Sequence, residues 1–374
     1  MITPEAIRRD FPALSGKCYL NTAAENIPPV AVGLALEAYW RDKQLGMDGR
    51  EAHFAVEAEA KVRAAQLLGL QSEEIGFCSC SAEAYNLLAT SLRLSAEDEV
   101  VVSDIDFPSG FTPWMAGTPH PTVRLWKSRD GALELGELAL LLNERTRLVQ
   151  VSLVSFYNGW RLPWEPFIRL LRERSPGAVV SVDLTQALGR CVLDCEGADI
   201  MISSTHKWLL GIHGGCVVGV PKRSAERLTT AAGGWYHIPN AFDADRFERR
   251  QTKIGAASYS VGMPSFAPIY ALNAAMNYLL NIGVSAISAH ADPLVESVFT
   301  GLRERDIAPL ARRSSSGIVA FKHAESARVH EALRKENVHI MHQAGRLRVA
   351  LHGYNTANDV SRFFEILDNC LHDK

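Results

Sequence analysis

Asp183 and Lys207 are the two residues of this chain best placed to do chemistry together. Asp183 follows the apolar, β-branched run Ala178–Val182, and Gln186 comes three residues later. A second apolar run, Ile200–Ser203, leads into Ser204-Thr205-His206-Lys207. Short runs of this kind read as buried strands, and open α/β sheets bind ligands at the carboxyl ends of their strands. A lysine amine condenses with a carbonyl. A carboxylate facing a heteroaromatic nitrogen keeps that nitrogen protonated. Hydroxyls and a histidine beside the lysine suit an anion. Together these groups fit a Schiff-base cofactor with a ring nitrogen and a phosphate, as in pyridoxal 5'-phosphate. Either residue alone reads equally well as a surface lysine or a loop aspartate.

The elements that must position this pair alternate along the chain. Helices are expected at 29–45, 52–68, 81–92, 133–142 and 163–174, the last opened by a proline. Strands are expected at 74–78, 100–103, 123–126, 148–154, 178–182, 200–203 and 216–220. This β-α-β-α order predicts an α/β fold with a mostly parallel sheet and helices on both faces. Phe107–Pro121 is rich in proline, glycine and tryptophan and reads as a connection. After Pro264 the texture changes to helices at 269–280, 284–303, 326–336 and 358–370 with strands at 317–321 and 346–351. That tail predicts a smaller α+β domain. The expected division is a large domain over 18–265 and a small one from 1–17 and 266–374.

Composition limits the function classes. The chain has 374 residues, 47% hydrophobic and 22% charged, with a formal net charge of −3. That balance predicts a folded globular protein and offers no basic excess for nucleic acid or an anionic membrane. No apolar run reaches the ~20 residues that span a bilayer, and no signal-peptide pattern opens the sequence. Seven cysteines, thinly spread, predict a reduced, cytoplasmic protein. Cys78-x-Cys80 lacks a second pair at zinc spacing, so both read as small residues packed in a tight turn and no metal site is expected.

The run Ser204-Thr205-His206-Lys207-Trp208, with Asp183-x-x-Gln186 upstream, resembles the signature of the class V aminotransferases. These are fold-type I pyridoxal-phosphate enzymes that include cysteine desulfurases, kynureninase and isopenicillin N epimerase. The resemblance extends from about Leu20 to the last helix. It implies that Lys207 is the Schiff-base lysine, that Asp183 holds the pyridine nitrogen, and that Gln186 bonds the phenolic oxygen. It gives Ser204 and His206 to the phosphate. Cys80-Ser81-Ala82-Glu83-Ala84 runs from strand to helix and offers free N–H groups to an anion. By resemblance Ser81 and the Ala82 backbone join that phosphate cradle, although Ala82 stands where many relatives have threonine. Met263 likewise replaces a threonine that reaches the phosphate across a homodimer, leaving Ser260 or a backbone amide to substitute. Phe107 takes the place of a histidine that stacks on the ring in desulfurases. Phe156 or Ser155 falls where relatives place an asparagine. Asn21, in Leu20-Asn21-Thr22-Ala23-Ala24, and Arg348, before Tyr354-Asn355-Thr356, match the substrate-carboxylate side. An arginine suits that task through two parallel hydrogen bonds.

The expected activity is that of a homodimeric aminotransferase passing an amino group between an amino acid and a 2-oxo acid. A lyase or epimerase using the same carbanion is the alternative. A persulfide-forming desulfurase is not expected, because the connection Asn337–Gly345 before the arginine strand contains no cysteine.

Overall fold

The computed structural model describes residues 2–116, 120–249, 251–312 and 316–372. Its main sheet has seven strands, in the order Ile75–Cys78, Cys216–Gly219, Ile200–Ser204, Val179–Asp183, Thr146–Ser152, Glu99–Ser103 and Thr122–Trp126. The four pairings from Ile200–Ser204 to Thr122–Trp126 are parallel. Cys216–Gly219 runs antiparallel to both of its neighbours. Side chains alternate between two apolar cores. Val149, Val151, Val180, Val182 and Met201 enter one, with Phe167, Leu171 and helix Phe266–Ile282. Leu148, Val179, Ile200 and Ile202 enter the other, with helix Ser81–Leu92. With both faces covered, the central strands are apolar at most positions on both sides, which makes them readable as short runs, although Gln150 and Ser181 interrupt them.

A three-stranded antiparallel sheet, Met341–Gln343, Arg346–Ala350 and Ile318–Lys322, forms a separate core with helices Val284–Arg303, Ser326–Lys335 and Ala357–His372. Cys18–Tyr19 pairs in parallel with Val338–His339 as a separate two-stranded sheet, and the Asn21–Ala350 bridge ties the N-terminal segment to the three-stranded one. Helix Phe266–Ile282 packs on helices Val30–Gln44 and Arg50–Leu68 and belongs to the main core.

Three local expectations change. Pro108–Met115 is a helix rather than a plain connection. Pro108 starts it where no N–H is needed, and the buried Trp114 returns its indole N–H to the Gly110 carbonyl at 2.9 Å. The strand expected at 148–154 lies at Thr146–Ser152. Leu153 and Val154 are buried by turning back on 161–162, with Leu162 N donating to Leu153 O at 2.9 Å, so apolarity alone could not mark the strand's end. Met341–Gln343 is an added strand whose half-exposed side chains give no alternation to read.

Glu99, fully buried at one edge of the sheet, is held by Arg124 at 2.8 Å and Arg145 at 2.5 Å, and it accepts from Asn143 at 2.8 Å. Hydrogen bonding from Arg124, above all, holds its carboxyl down at about 2. A folded-state pKa below the unfolded value stabilises above the unfolded pKa, and that stability is lost as pH falls through the folded one. The shift corresponds to about 3 kcal/mol, which we discount to about 1–2 kcal/mol because both arginines are half-exposed. Glu99→Gln should therefore unfold in urea about 1–2 kcal/mol more easily at pH 7, with the gap closing between about pH 4 and pH 2. A gap independent of pH over that range would assign the loss to packing instead.

Candidate active site

Asp183 ends its strand, and Ile200–Ser204 lies beside it in parallel, so both carboxyl ends open at the same edge. There a cavity of about 160 Å³ is lined by Cys80, Ser81, Ala82, Phe107, Ser152, Phe156, Asp183, Thr185, Gln186, Ser204, His206 and Lys207. Eight of the residues singled out from the sequence thus meet in one place: Ser81, Ala82, Phe107, Asp183, Gln186, Ser204, His206 and Lys207. Asn21 and Arg348 stand outside that lining.

Burial lowers the Lys207 ammonium to about 8, with Asp183 opposing the shift and Arg348 adding to it. Its Nζ lies 5.3 Å from the centre of the Phe107 ring. The turn that carries the lysine is fixed from every side. Leu210 N donates to Lys207 O at 3.1 Å, and Leu210 holds a left-handed φ of 58°. Asn26 N donates to His206 O at 3.1 Å. Thr205 Oγ1 donates to Ile212 O at 2.7 Å. Trp208 donates its indole N–H to Gln186 Oε1 at 2.7 Å, and Gln186 Nε2 donates to Ala23 O at 3.0 Å. Gln186 therefore joins the lysine turn to the N-terminal segment and keeps one amide hydrogen for a ligand. Gly189, at φ 91°, lies so close to Trp208 that a Cβ would stand 2.5 Å from the tryptophan carbonyl oxygen. His352 Nε2 meets that same oxygen at 3.1 Å, and burial drives this histidine's pKa down to about 3, so it stays neutral.

Helix Ser81–Leu92 starts at the cavity with no side chain capping its first N–H groups. Such an open N-terminus suits an anion. Ser204 N is held by Thr185 Oγ1 at 3.1 Å. His206 is pushed down to about 4 by burial, then by Lys207 and His213, and is neutral at pH 7. Ser260 donates to Phe77 O at 3.2 Å, so its hydroxyl proton is engaged within the chain. Phe107 meets Phe156 edge-on at 5.1 Å, which puts Phe156, and not Ser155, in the cavity wall. Ser155 turns inward to the Ile105 carbonyl at 2.8 Å. Beneath Phe107, Asp106 accepts from the backbone N–H groups of Ser152 and Ser103 at 2.8 and 3.2 Å, and burial raises its carboxyl to about 6.

Arg348 is buried and donates from Nη1 to the Phe156 carbonyl at 2.7 Å. Its Nε has no hydrogen-bond partner among the described residues. Burial and the neighbouring Arg346 lower its pKa to about 9, which leaves it cationic at neutral pH. Asn21 is bridged in parallel to Ala350 at the end of the arginine strand, and its Oδ1 is buried without a partner. Unpaired buried polar groups are costly and mark places where a ligand completes the bonding.

Several residues at the site escaped the sequence reading, Ser152 and Thr185 in the cavity wall among them. Tyr85 donates to Asp183 Oδ2 at 2.8 Å from inside helix Ser81–Leu92, where an aromatic reads as core. Cys80 is an exposed thiol in the cavity wall, whereas Cys78 is packed as expected and donates to Tyr259 O at 3.6 Å. The tight-turn reading therefore holds for one of the pair: Cys80 occupies the N-cap position without its side chain bonding the helix's N–H groups, and the open cavity leaves that side chain uncovered. Glu25 pairs with His213 at 3.2 Å, and the His213 ring stacks on His206 at 4.2 Å. Donor atoms of these three lie within 4.8 Å of one another. The two rings are nearly parallel, at 17°, so their in-plane lone pairs do not converge on a common ion.

A family model described as aminotransferase class V matches residues 19–363. The uncharacterized aminotransferase YcbU of Bacillus subtilis is 27% identical over 363 residues, covering 96% of this chain and 95% of YcbU. A probable cysteine desulfurase of Pseudomonas putida is 26% identical and covers 99% of each chain. Among solved structures, a variant of C-DES with glycine covalently linked to its PLP cofactor superposes with a TM-score of 0.88 at 19% identity, covering 96% of this chain and 99% of that one. Among the described residues no helix is long and apolar enough to cross a membrane. The cavity's amine, carboxylate, aromatic wall and uncapped helix N-terminus fit pyridoxal phosphate. The chain belongs to the class V aminotransferase family, fold-type I enzymes whose cofactor is pyridoxal 5'-phosphate.

Proposed function

We propose that the protein is an aminotransferase that moves an amino group between an amino acid and a 2-oxo acid, as a homodimer in the cytoplasm. The observation that carries this reading is the Lys207 amine itself, buried beside Asp183 with its pKa lowered to about 8. About a tenth of such an amine is neutral at pH 7, far more than for a free lysine. Lys207 carries the cofactor covalently and, when released, takes and returns the substrate's α-proton. Bound pyridoxal phosphate supplies an electron sink for the pair left at the α-carbon. Asp183 faces the ring nitrogen, Gln186 the phenolic oxygen, and Phe107 one face of the ring. Ser81, the Ala82 backbone, Ser204 and His206 hold the phosphate. Arg348, with a free Nε–H to donate, takes the substrate carboxylate, and Asn21 stands on the same side, where its Nδ2 would be the group to donate to that carboxylate and its free Oδ1 can only accept. The exposed Trp40, Leu45, Met47 and Met263 support the homodimer.

A second reading is favoured by Cys80. Cleavage of cysteine's carbon–sulfur bond by the persulfide-forming route needs a thiol acceptor, giving alanine and a persulfide from cysteine and that thiol. The segment 337–345 holds none, and Cys370 is buried in the last helix. Cys80, exposed in the cavity wall, is where such chemistry would have to act.

Two outcomes test these readings. Holoenzyme mixed with a panel of amino acids should show the cofactor's absorbance change to that of its amine form with at least one of them, and a 2-oxo acid should reverse it. Equal amounts of alanine and sulfide from cysteine in the presence of a dithiol reductant that releases the persulfide sulfur, lost in Cys80→Ser, would instead establish the second reading. Arg348→Ala should lower kcat/KM by roughly ten- to a hundredfold, from the ~1.5–3 kcal/mol of a charge-assisted bond, while cofactor content stays near normal. Parallel loss of cofactor and activity would reduce Arg348 to a structural residue.

A further inference from the structure

Among the described residues the Asp183 carboxylate accepts two hydrogen bonds, and they differ in kind. Its Oδ1 accepts from the backbone N–H of Thr185 at 2.7 Å, a bond that any residue at 185 other than proline could supply. Its Oδ2 accepts from the Tyr85 hydroxyl at 2.8 Å, a bond that depends on one side chain. Asp183 belongs to the same side of the sheet as Val179, the side covered by helix Ser81–Leu92. Tyr85 comes from the middle of that helix and is fully buried. An alkyl side chain would fill the same apolar core without adding a polar atom, so the phenol has a task beyond packing.

We infer that Tyr85 is a positioning residue that fixes the direction of the Asp183 carboxylate and weakens its pull on the cofactor's ring proton. The inference rests on Asp183 being the partner of the ring nitrogen. A carboxylate that accepts a phenol hydrogen bond is a weaker base than one that does not. Burial and Asp183 together push the Tyr85 phenol far above its ordinary pKa, so it keeps its proton and acts only as a donor. The other ionisable groups facing this pair are Lys207 beyond the neighbouring strand, Cys216 on the strand after it, and Asp106. Burial holds the Cys216 thiol protonated, and it donates to Val217 O at 3.6 Å, so among the described residues Tyr85 is the side chain that bonds to the Asp183 carboxylate. With both oxygens tied, the carboxylate cannot turn, and its remaining lone pairs open to the cavity. Removing the phenol oxygen should leave a more basic carboxylate that draws the shared proton away from the ring nitrogen. The ring then becomes a weaker electron sink, and turnover should fall by roughly ten- to a hundredfold, the size of effect expected for a bond to a charged group.

The test reads the proton directly. Tyr85→Phe keeps the packed ring, and Asp183→Asn serves as the reference. Each holoenzyme is reconstituted with cofactor carrying nitrogen-15 in its ring, and the ring nitrogen's chemical shift is recorded at one pH. Wild type should lie near the pyridinium value, Asp183→Asn near the free-pyridine value, and Tyr85→Phe between them. A fluorotyrosine at position 85, nearly the same size but a stronger donor, should move the signal the other way, towards pyridinium. If Asp183→Asn moves the signal and neither change at Tyr85 does, the role of Tyr85 is overturned while that of Asp183 stands. If Asp183→Asn itself leaves the signal in place, the assignment of Asp183 to the ring nitrogen fails, and this inference fails with it.

Discussion

The site depends on one desolvated pair, the Lys207 amine and the Asp183 carboxylate held at the ends of two neighbouring parallel strands. Parallel pairing aligns Asp183 with Ile202, so both chains leave the sheet at the same edge. Joining parallel strands requires a long crossover, and residues 184–199 supply it without a helix. That crossover carries Thr185 and Gln186 directly into the site. The same register therefore delivers the carboxylate, the group that orients the lysine turn, and the lysine itself.

Burying charged groups is costly unless each finds partners. Asp183 is met by Tyr85 and Thr185. Lys207 answers burial by lowering its pKa, which is also what an amine that must attack and exchange protons needs. His206 and His352 stay neutral for the same reason. Arg348 and Asn21 keep buried atoms unsatisfied. Buried atoms left unsatisfied are expensive for an empty fold and sensible for one that a ligand completes.

The α/β class was legible because both faces of the sheet are covered, which makes Leu148–Val151, Val179–Val182 and Ile200–Ile202 almost wholly apolar, broken only by the buried Gln150 and Ser181. Lys207, Asp183 and the helix start at Ser81 were legible because local spacing alone sets each of them at a strand end or helix end. The rest was hidden by long-range geometry. Nothing near Tyr85 in sequence says that its hydroxyl reaches Asp183, since an aromatic inside an apolar helix face reads as packing. Cys80 looked like Cys78 in the same turn, and only the cavity separates the exposed thiol from the buried one. The pairing of Glu25 with His213 joins two segments far apart in sequence, which also meet where Asn26 donates from its backbone N to His206 O and from Nδ2 to Gly211 O. Helix Pro108–Met115 was masked by its internal Pro113, which weakens any helical pattern.

The central claim is that the amine of Lys207, and no other in the chain, is the covalent handle of the cofactor. Reducing the holoenzyme with borohydride fixes that link, and digestion with mass spectrometry locates it. The account predicts a single modified peptide carrying the cofactor's mass on Lys207, absent from Lys207→Ala. A modified peptide centred on any other lysine, or an equal yield from Lys207→Ala, would contradict it.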